Sequence, residues 1–138
     1  NSDILALDWI ETHTPETARF FINTVGWSQN TSRGVDGGGW IMPITGRWSI
    51  VPTVFYPMNG DEEYVLQTAE LGSRASAITN CGADFWSLVR DAQLDYLYIK
   101  EGVGGLQPSA LTSCAGVKQL VHIEDIHIYL LSPTDTAQ

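Results

Sequence analysis

Near its C-terminus the chain reads Val117-Lys118-Gln119-Leu120-Val121-His122-Ile123-Glu124-Asp125-Ile126-His127-Ile128-Tyr129-Leu130-Leu131. Two strand-like segments flank the two residues Glu124-Asp125, a pattern that predicts a β-hairpin. This loop length pairs His122 with His127. Alternation along the strands then gives one uniformly apolar face and one mixed face, so we predict the hairpin in this register. The apolar face carries Val121, Ile123, Ile126, Ile128 and Leu130, and the mixed face carries Lys118, Leu120, His122, His127, Tyr129 and Leu131.

The rest of the chain shows alternating helical and strand-like patterns without an internal repeat. Apolar positions at helical spacing in Ile4–His13, with Ser2 as N-cap, predict a first helix that ends before Thr14-Pro15. Together the patterns predict a single layered α/β or α+β domain: a mixed sheet, flanking helices and the C-terminal hairpin. The other predicted elements are helices over 61–71 (closed by Gly72), 84–92 and 108–113, strands over 19–24, 75–79 and 96–100, an edge strand or extended segment over 50–56, and a loop over 26–39.

Composition bounds the class of protein. The chain has 138 residues, 43% of them apolar, and a net charge of −9. This size suits one domain with a real core, and no apolar run is long enough for a transmembrane helix. The seven basic residues are scattered, which argues against a nucleic-acid partner. Because Asn1-Ser2-Asp3 leads directly into helical patterning, we expect residues 1–138 to be a single soluble domain excised from a longer protein.

The two cysteines, Cys81 and Cys114, leave two interpretations open. Their separation excludes a CxxC redox or zinc motif, and no further thiol completes a metal site. They form either one disulfide or two small buried hydrophobic residues.

The segment Val35-Asp36-Gly37-Gly38-Gly39-Trp40-Ile41-Met42-Pro43-Ile44-Thr45-Gly46-Arg47 is the main candidate for ligand binding. Three consecutive glycines make sense where the backbone takes positive φ or another group approaches closely. Around them Asp36 offers an acceptor, Trp40 a stacking surface and Arg47 a forked donor. The candidate substrate-binding residues are therefore Asp36, Gly37, Gly38, Trp40 and Arg47. In the alternative interpretation this is a tight connection in which Trp40 and Ile41 insert into the core and Arg47 pairs with a carboxylate.

Other chemistry is weakly supported. His122 and His127 face each other across the hairpin with Glu124 close by, but a metal needs three or four converging ligands, so we predict two half-exposed histidines and no metal. The loop Gly102–Gly105 lacks the phosphate-binding patterns, and G-x-S-x-G is absent. We therefore predict no catalytic residue and no cofactor. A small hydrolase that uses the histidine pair remains a third possibility, which metal analysis would decide.

Three groups of residues resemble one protein family. The run Ala6-Leu7-Asp8-Trp9-Ile10-Glu11-Thr12-His13-Thr14-Pro15-Glu16-Thr17-Ala18 is similar to the A-L-x-W-[IL]-x-x-x-T-P-x-x-A opening of soluble domains in membrane-embedded GT-C glycosyltransferases. These enzymes include oligosaccharyltransferase catalytic subunits and dolichyl-phosphate-sugar-dependent mannosyltransferases. Residues 36–41 and 45–47 match the D-x-G-x-W-[IL]-x-x-x-[ST]-G-R stretch that follows in the family. Residues 95–111 and the closing hairpin look like the ending of bacterial members.

The resemblance implies an extracytoplasmic C-terminal domain of a polytopic glycosyltransferase that uses a lipid-linked sugar. In oligosaccharyltransferases this region carries a W-W-D-x-G motif that holds the hydroxyl of an acceptor sequon. Asp36 and Gly38 match the motif, whereas Gly34 and Val35 stand in place of the two indoles. The resemblance places the catalytic carboxylates in the membrane part, so the isolated domain is expected to be inactive. An extracytoplasmic location would also permit a Cys81–Cys114 disulfide.

Two functional interpretations remain open from the sequence. In the first, the segment from Asp36 to Arg47 faces the membrane part of the same protein and shapes its acceptor or donor pocket. In the second, the chain is a non-catalytic module of a cell-envelope protein that binds a glycan or a partner protein. An exposed tryptophan among Trp9, Trp27, Trp40, Trp48 and Trp86 would then provide the stacking surface.

Overall fold

The computed structural model describes residues 2–28, 31–34, 36–51 and 62–133. Within them a five-stranded mixed sheet has the order β4-β1-β5-β7-β6, and β2 and β3 form a separate antiparallel pair. The sheet, its helices and the C-terminal hairpin confirm the predicted layered α+β architecture. The elements are α1 (Ser2–His13), β1 (Arg19–Ile22), β2 (Thr24–Ser28), β3 (Thr31–Gly34), a 3₁₀ turn (Gly37–Trp40), α2 (Ile41–Thr45), β4 (Trp48–Ser49), α3 (Glu62–Ser76), α4 (Ala83–Ala92), β5 (Tyr96–Lys100), a second 3₁₀ turn (Pro108–Ala110), β6 (Val117–Ile123) and β7 (Ile126–Leu131).

Parallel and antiparallel pairings meet at β5. Strand β1 pairs in parallel with β4 and β5, and β5 pairs antiparallel with β7. Strand β5 is thus enclosed on both sides, and its residues Leu97, Tyr98 and Ile99 are fully buried. This burial explains why the sequence shows a continuous apolar run here, as is typical of a strand covered on both faces.

Helices cover the sheet on two sides. On one side Tyr98 of β5 donates a hydrogen bond to Asp3 of α1. On the other, Phe21 of β1 packs edge-on against Phe85 of α4, with ring centroids 6.2 Å apart. The buried hydrophobic side chains of these layers form one core cluster. The first turn of α1 therefore lies over the end of β5, where it builds the candidate site.

The hairpin has the predicted pairings, with Val121 opposite Ile128, His122 opposite His127 and Ile123 opposite Ile126. A β-bulge between Gln119 and Val121 changes the register before that point. It corrects the predicted faces, because Gln119 pairs with Tyr129 and so shares the face of His127 in place of Lys118. Both faces of β7 are covered, since Ile126 to Tyr129 are all buried.

Several local predictions were wrong. Thr24–Ser28 and Thr31–Gly34 form the β2–β3 pair where a loop over 26–39 was predicted. Gly72 does not end a helix but lies buried inside α3, where its carbonyl accepts a 2.6 Å hydrogen bond from Thr24 Oγ1. Helix α3 continues to Ser76, so no strand forms over 75–79. The predicted helix over 108–113 is reduced to a 3₁₀ turn.

Two predicted segments fall partly outside the described residues. The edge segment over 50–56 is described only as far as Val51, which is buried next to the short edge strand β4. The predicted helix start at Asp61 also lies outside, and α3 is described from Glu62. None of the helices within the described residues is long and apolar enough to cross a membrane.

Cys81 and Cys114 form a disulfide in this structure, with their Cα atoms 6.4 Å apart. Cys81 lies just before α4, and Cys114 follows the second 3₁₀ turn. The bridge therefore fastens the 108–114 connection to the beginning of a core helix.

Candidate functional site

The triple-glycine turn is shaped by close approach. Asp36 is the N-cap of the 3₁₀ turn, and its Oδ1 accepts a 2.8 Å hydrogen bond from the N–H of Gly38. A Cβ on Gly37 would overlap the carboxylate of Asp3, and one on Gly38 would lie 2.5 Å from Ile22 Cγ2. Positive φ is not the reason for these glycines, because none of the three has it. The turn packs instead directly on α1 and β1.

Asp3 connects this turn to the sheet. Its Oδ1 accepts the hydrogen bond from Tyr98, and its Oδ2 lies 3.0 Å from Nζ of Lys100. The hydrogen bond to Asp3 also raises the pKa of the Lys100 ammonium. Burial together with the Asp3 contact raises the pKa of the Tyr98 phenol, which therefore remains a donor. The result is a polar floor at the C-terminal end of β5.

Asp36 lies at this floor with one oxygen unused. Oδ2 is buried, and no described residue gives it a hydrogen-bond partner. Desolvation above all, together with the nearby charge of Asp3, raises the pKa of Asp36 to about 7, against the opposing effects of the Gly38 N–H and of Lys100. A carboxyl group with this pKa can accept or donate a hydrogen bond near neutral pH. It is thus suited to bind a hydroxyl group of a ligand.

Apolar side chains form the walls of the groove above this floor. Trp40 is 56% exposed, and Ile4 of α1 and Ile44 of α2 are more than half exposed as well. The open groove has a volume of about 560 Å³. Indole faces stack on sugar rings and on apolar groups. The lining residues are Asp3, Ile4, Leu7, Asp36, Gly37, Trp40, Ile44 and Lys100.

The exposure of Trp40 contradicts the alternative interpretation in which Trp40 and Ile41 both insert into the core. Ile41 is fully buried, but Trp40 does not insert into the core with it. In α1 the buried stripe consists of Ala6, Leu7 and Ile10, whereas Ile4 and Leu5 face outward. Helical spacing alone could not select between these faces, because apolar residues occur on both.

Arg47, unlike Asp36 and Trp40, is buried below the groove against the C-terminal end of α1. It is 7% exposed, and its guanidinium donates to the main-chain oxygens of Thr45, Glu11 and Thr14 at 2.7, 3.1 and 2.7 Å. Two of these carbonyls belong to the C-terminal end of α1, whose dipole favours a positive charge there. No carboxylate is its partner among the described residues. Arg47 thus caps a helix beneath the groove.

The other tryptophans described by their side chains have partners within the protein. Trp9 stacks on His13, Trp48 lies 3.8 Å below the guanidinium of Arg19, and Trp86 packs edge-on against Phe85. The side chain of Trp27 lies outside the description. Trp40 is accordingly the candidate stacking surface.

Of the candidate residues, Asp36, Gly37 and Trp40 line the groove and Gly38 and Arg47 do not, whereas Asp3 and Lys100 line it and were not among the candidates. Asp3 and Lys100 are separated by 97 positions, so no local spacing connects them. The available signal was a lysine that ends an otherwise apolar strand, since such a residue emerges at the edge of a sheet.

Comparison with known proteins places this geometry in a known fold. No family model matches the sequence, and no curated protein matches it either. Among solved structures, the C-terminal globular domain of an oligosaccharyltransferase from Archaeoglobus fulgidus matches with a TM-score of 0.57 and 12% sequence identity. The match covers 96% of this chain and 98% of that domain. The chain has the fold of that domain. The resemblance seen in the sequence is therefore confirmed at the level of the fold, and it extends over the whole of the oligosaccharyltransferase domain.

Proposed function

We propose that the chain is the extracytoplasmic C-terminal domain of a membrane-embedded glycosyltransferase that uses a lipid-linked sugar. The observation that carries the proposal is the unpartnered Oδ2 of Asp36, buried at the floor of a groove in an oligosaccharyltransferase-type fold. A buried polar atom without a partner is costly, so its presence calls for an explanation, and a functional role is one of the established explanations. The partners in this proposal are the transmembrane region of the parent protein and the acceptor or the sugar it carries.

The groove has the chemistry for a hydroxyl-bearing ligand. Asp36 binds a hydroxyl group, Trp40 packs against the ring or chain that carries it, and Lys100 adds a positive charge at the floor. The two positions where oligosaccharyltransferases carry paired indoles are Gly34 and Val35 here. Trp40 is then the aromatic side chain that contacts the ligand, without the paired indoles that bind a sequon. This favours a sugar or a lipid-linked sugar over a sequon peptide as the ligand.

Catalysis is assigned to the membrane part of the parent. In this arrangement the domain contributes binding and positioning, which lower the barrier by fixing the reacting groups in the correct geometry. The isolated domain then has no transferase activity, and the proposed binding at the groove needs no cofactor.

The test starts from the complete reading frame. We expect eight or more hydrophobic spans upstream of Asn1; a frame that encodes a free-standing soluble protein would overturn the proposal. In membranes that contain the full protein, Asp36→Ala should lower sugar transfer by roughly a hundredfold, about 2.7 kcal/mol. Asp8→Ala, at an exposed position on α1, is the matched control and should leave transfer unchanged. Equal activity of the two variants would remove Asp36 from the site.

The exposed indole of Trp40 supports a second candidate, a binding module for glycans without a transferase parent. This module would bind glycans as an isolated domain, and Trp40→Ala would abolish binding while the circular dichroism spectrum stays unchanged. Trp86→Phe, at a half-buried position away from the groove, serves as control. Absence of binding to any glycan on an array would exclude this candidate.

A further inference from the structure

A second cluster of chemically active groups lies on the other face of the sheet. Lys100 ends β5 opposite Ile126 and reaches Asp3, whereas its neighbour Ile99 pairs with His127. Successive residues of a strand point to opposite faces, so His127 lies on the face away from the Asp36 groove. The cluster is thus separate from the proposed function and does not rest on it.

The cluster consists of Glu101, His122 and His127. The main-chain N–H of Glu101 donates a 2.8 Å hydrogen bond to the carbonyl of Asp125, which holds Glu101 beside the hairpin turn. The rings of the cross-strand pair His122 and His127 are stacked, with centroids 3.8 Å apart. Glu124, expected from the sequence as the neighbouring carboxylate, is not part of this cluster. The carboxylate beside the two histidines comes instead from Glu101, which follows the end of β5.

Three potential ligand atoms converge in the cluster. Oε2 of Glu101 lies 2.5 Å from Nε2 of His127 and 3.2 Å from Nε2 of His122. One such atom from each residue lies within 4.8 Å of the others. Two imidazoles and one carboxylate are the donor set of Zn²⁺ sites that keep a fourth position open.

A further contact orients the central histidine. Nδ1 of His127 lies 2.7 Å from Oε1 of Gln119, the residue that the β-bulge moved onto this face. With Nδ1–H donated to Gln119, Nε2 of His127 keeps its lone pair and points at Oε2 of Glu101. A second-sphere hydrogen bond on the remote nitrogen is the usual arrangement of a metal-binding histidine.

His122 completes the cluster. It brings a second Nε2 to the same carboxylate oxygen of Glu101, and its ring stacks on that of His127. A divalent metal ion at this point would use all three groups at once.

The distances fit a small divalent ion after a modest movement. Bonds of 2.0–2.1 Å in a tetrahedron put the ligand atoms roughly 3.3 Å apart. The His122–Glu101 distance already agrees, and the His127–Glu101 distance must open by about 0.8 Å. The Glu101 side chain, 49% exposed, can move, whereas His127 is 10% exposed and fixed. The fourth position can open onto a cleft that His127 shares with Tyr129 and the segment 108–112.

We propose that Glu101, His122 and His127 bind one divalent transition-metal ion of the Zn²⁺ class. The test is isothermal titration calorimetry, in which Zn²⁺ is added to the metal-free, tag-free 138-residue chain. We expect a 1:1 complex with a dissociation constant on the order of micromolar. Co²⁺ should bind at the same place and give the visible absorption of a tetrahedral complex.

Variants connect the binding to these residues. His122→Gln and Glu101→Gln, both at exposed side chains, should each weaken Zn²⁺ binding by more than about tenfold. Gln119→Leu should weaken it by about tenfold, because it removes the hydrogen bond that orients His127. His13→Gln is the matched control, since His13 is the remaining histidine and lies on α1. Circular dichroism establishes that each variant is folded.

Three results would overturn the proposal. The first is no saturable Zn²⁺ binding up to about 1 mM. The second is equal binding by the parent chain and the His122→Gln variant. The third is a preference for Ca²⁺ or Mg²⁺, since hard cations select oxygen ligands. Each of these would leave the cluster as a hydrogen-bonded ion pair that holds the hairpin to the end of β5.

Discussion

Asp3 in the first turn of α1 and Lys100 at the end of β5 form an ion pair across 97 positions of sequence, with Nζ and Oδ2 3.0 Å apart. Tyr98 donates to the other oxygen of the same carboxylate. The first turn of α1 and the C-terminal end of β5 are thereby held together directly beneath the glycine turn. These remote residues form the floor of the groove around Asp36. The shape of the groove therefore depends on the packing of α1 against β5 as well as on the glycine segment.

Gly37→Ala should destabilise the protein because its Cβ would overlap the Asp3 carboxylate and push it away from Lys100. We expect a loss of about 1–3 kcal/mol, the usual cost of overpacking, in urea denaturation. Gly39→Ala is the matched control, since nothing lies within 4 Å of a Cβ there. It should be neutral or stabilising by up to about 1 kcal/mol. Equal losses in both variants would contradict the close packing of Gly37 on Asp3.

Arg47→Met should cost roughly 2–4 kcal/mol, because it leaves buried carbonyl oxygens at the end of α1 without donors. Since these partners are carbonyls, the loss should change little in about 0.5 M NaCl, whereas a salt bridge would be screened. Urea denaturation at low and high salt measures both quantities. Lys118→Met, at an exposed position of β6, should stay within about 0.5 kcal/mol. A loss that falls by half at high salt would indicate a carboxylate partner.

The Cys81–Cys114 disulfide should contribute about 3–4 kcal/mol, because it closes a loop with a sequence separation of 33. The double variant Cys81→Ser, Cys114→Ser should lose this amount in urea denaturation. A reducing agent should destabilise the parent chain and leave the double variant unaffected. Equal stability of the parent chain and the double variant under oxidising conditions would show that the bridge has no stabilising role.

The hairpin and strand β5 could be predicted from the sequence because their patterns are local. Alternation and a two-residue loop determine that His122 pairs with His127. The bulge beside Gln119 could not be predicted, since Gln119 and its neighbours are compatible with either face. The sequence also could not bring Glu101 to the histidines, because Glu101 reaches them through the pairing of β5 with β7, which no local pattern contains.

The candidate site was predictable only in part. Asp36 and Trp40 are adjacent in the sequence, and the glycines between them indicate close approach. Asp3 and Lys100 reach the site through the packing of α1 on the sheet, which no spacing rule contains. Arg47 was interpreted as a ligand-binding donor because exposed and buried arginines look the same in a sequence, and its helix-capping role follows only from the position of α1.

Asp36 should make the stability of the protein depend on pH in an unusual direction. Its pKa is about 7 in the folded chain, above the value of about 3.9 for an unfolded aspartate. The folded state then holds a proton that the unfolded state has released, so the contribution is fully present below pH 4 and is lost as pH rises to about 7. Asp36→Asn keeps an oxygen for the Gly38 N–H and removes the titration. Relative to this variant, the parent chain should therefore lose roughly 1–4 kcal/mol of unfolding free energy between pH 4 and pH 8.

Urea denaturation at several pH values measures the difference in unfolding free energy between the parent chain and Asp36→Asn, in which the contributions of other titrating groups cancel. Asp8→Asn, at an exposed position of the same domain, should run parallel to the parent chain. A difference that grows in favour of the parent chain as pH rises would mean that Asp36 is a stabilised carboxylate, and the buried, unpartnered oxygen at the floor of the groove would then need a different explanation.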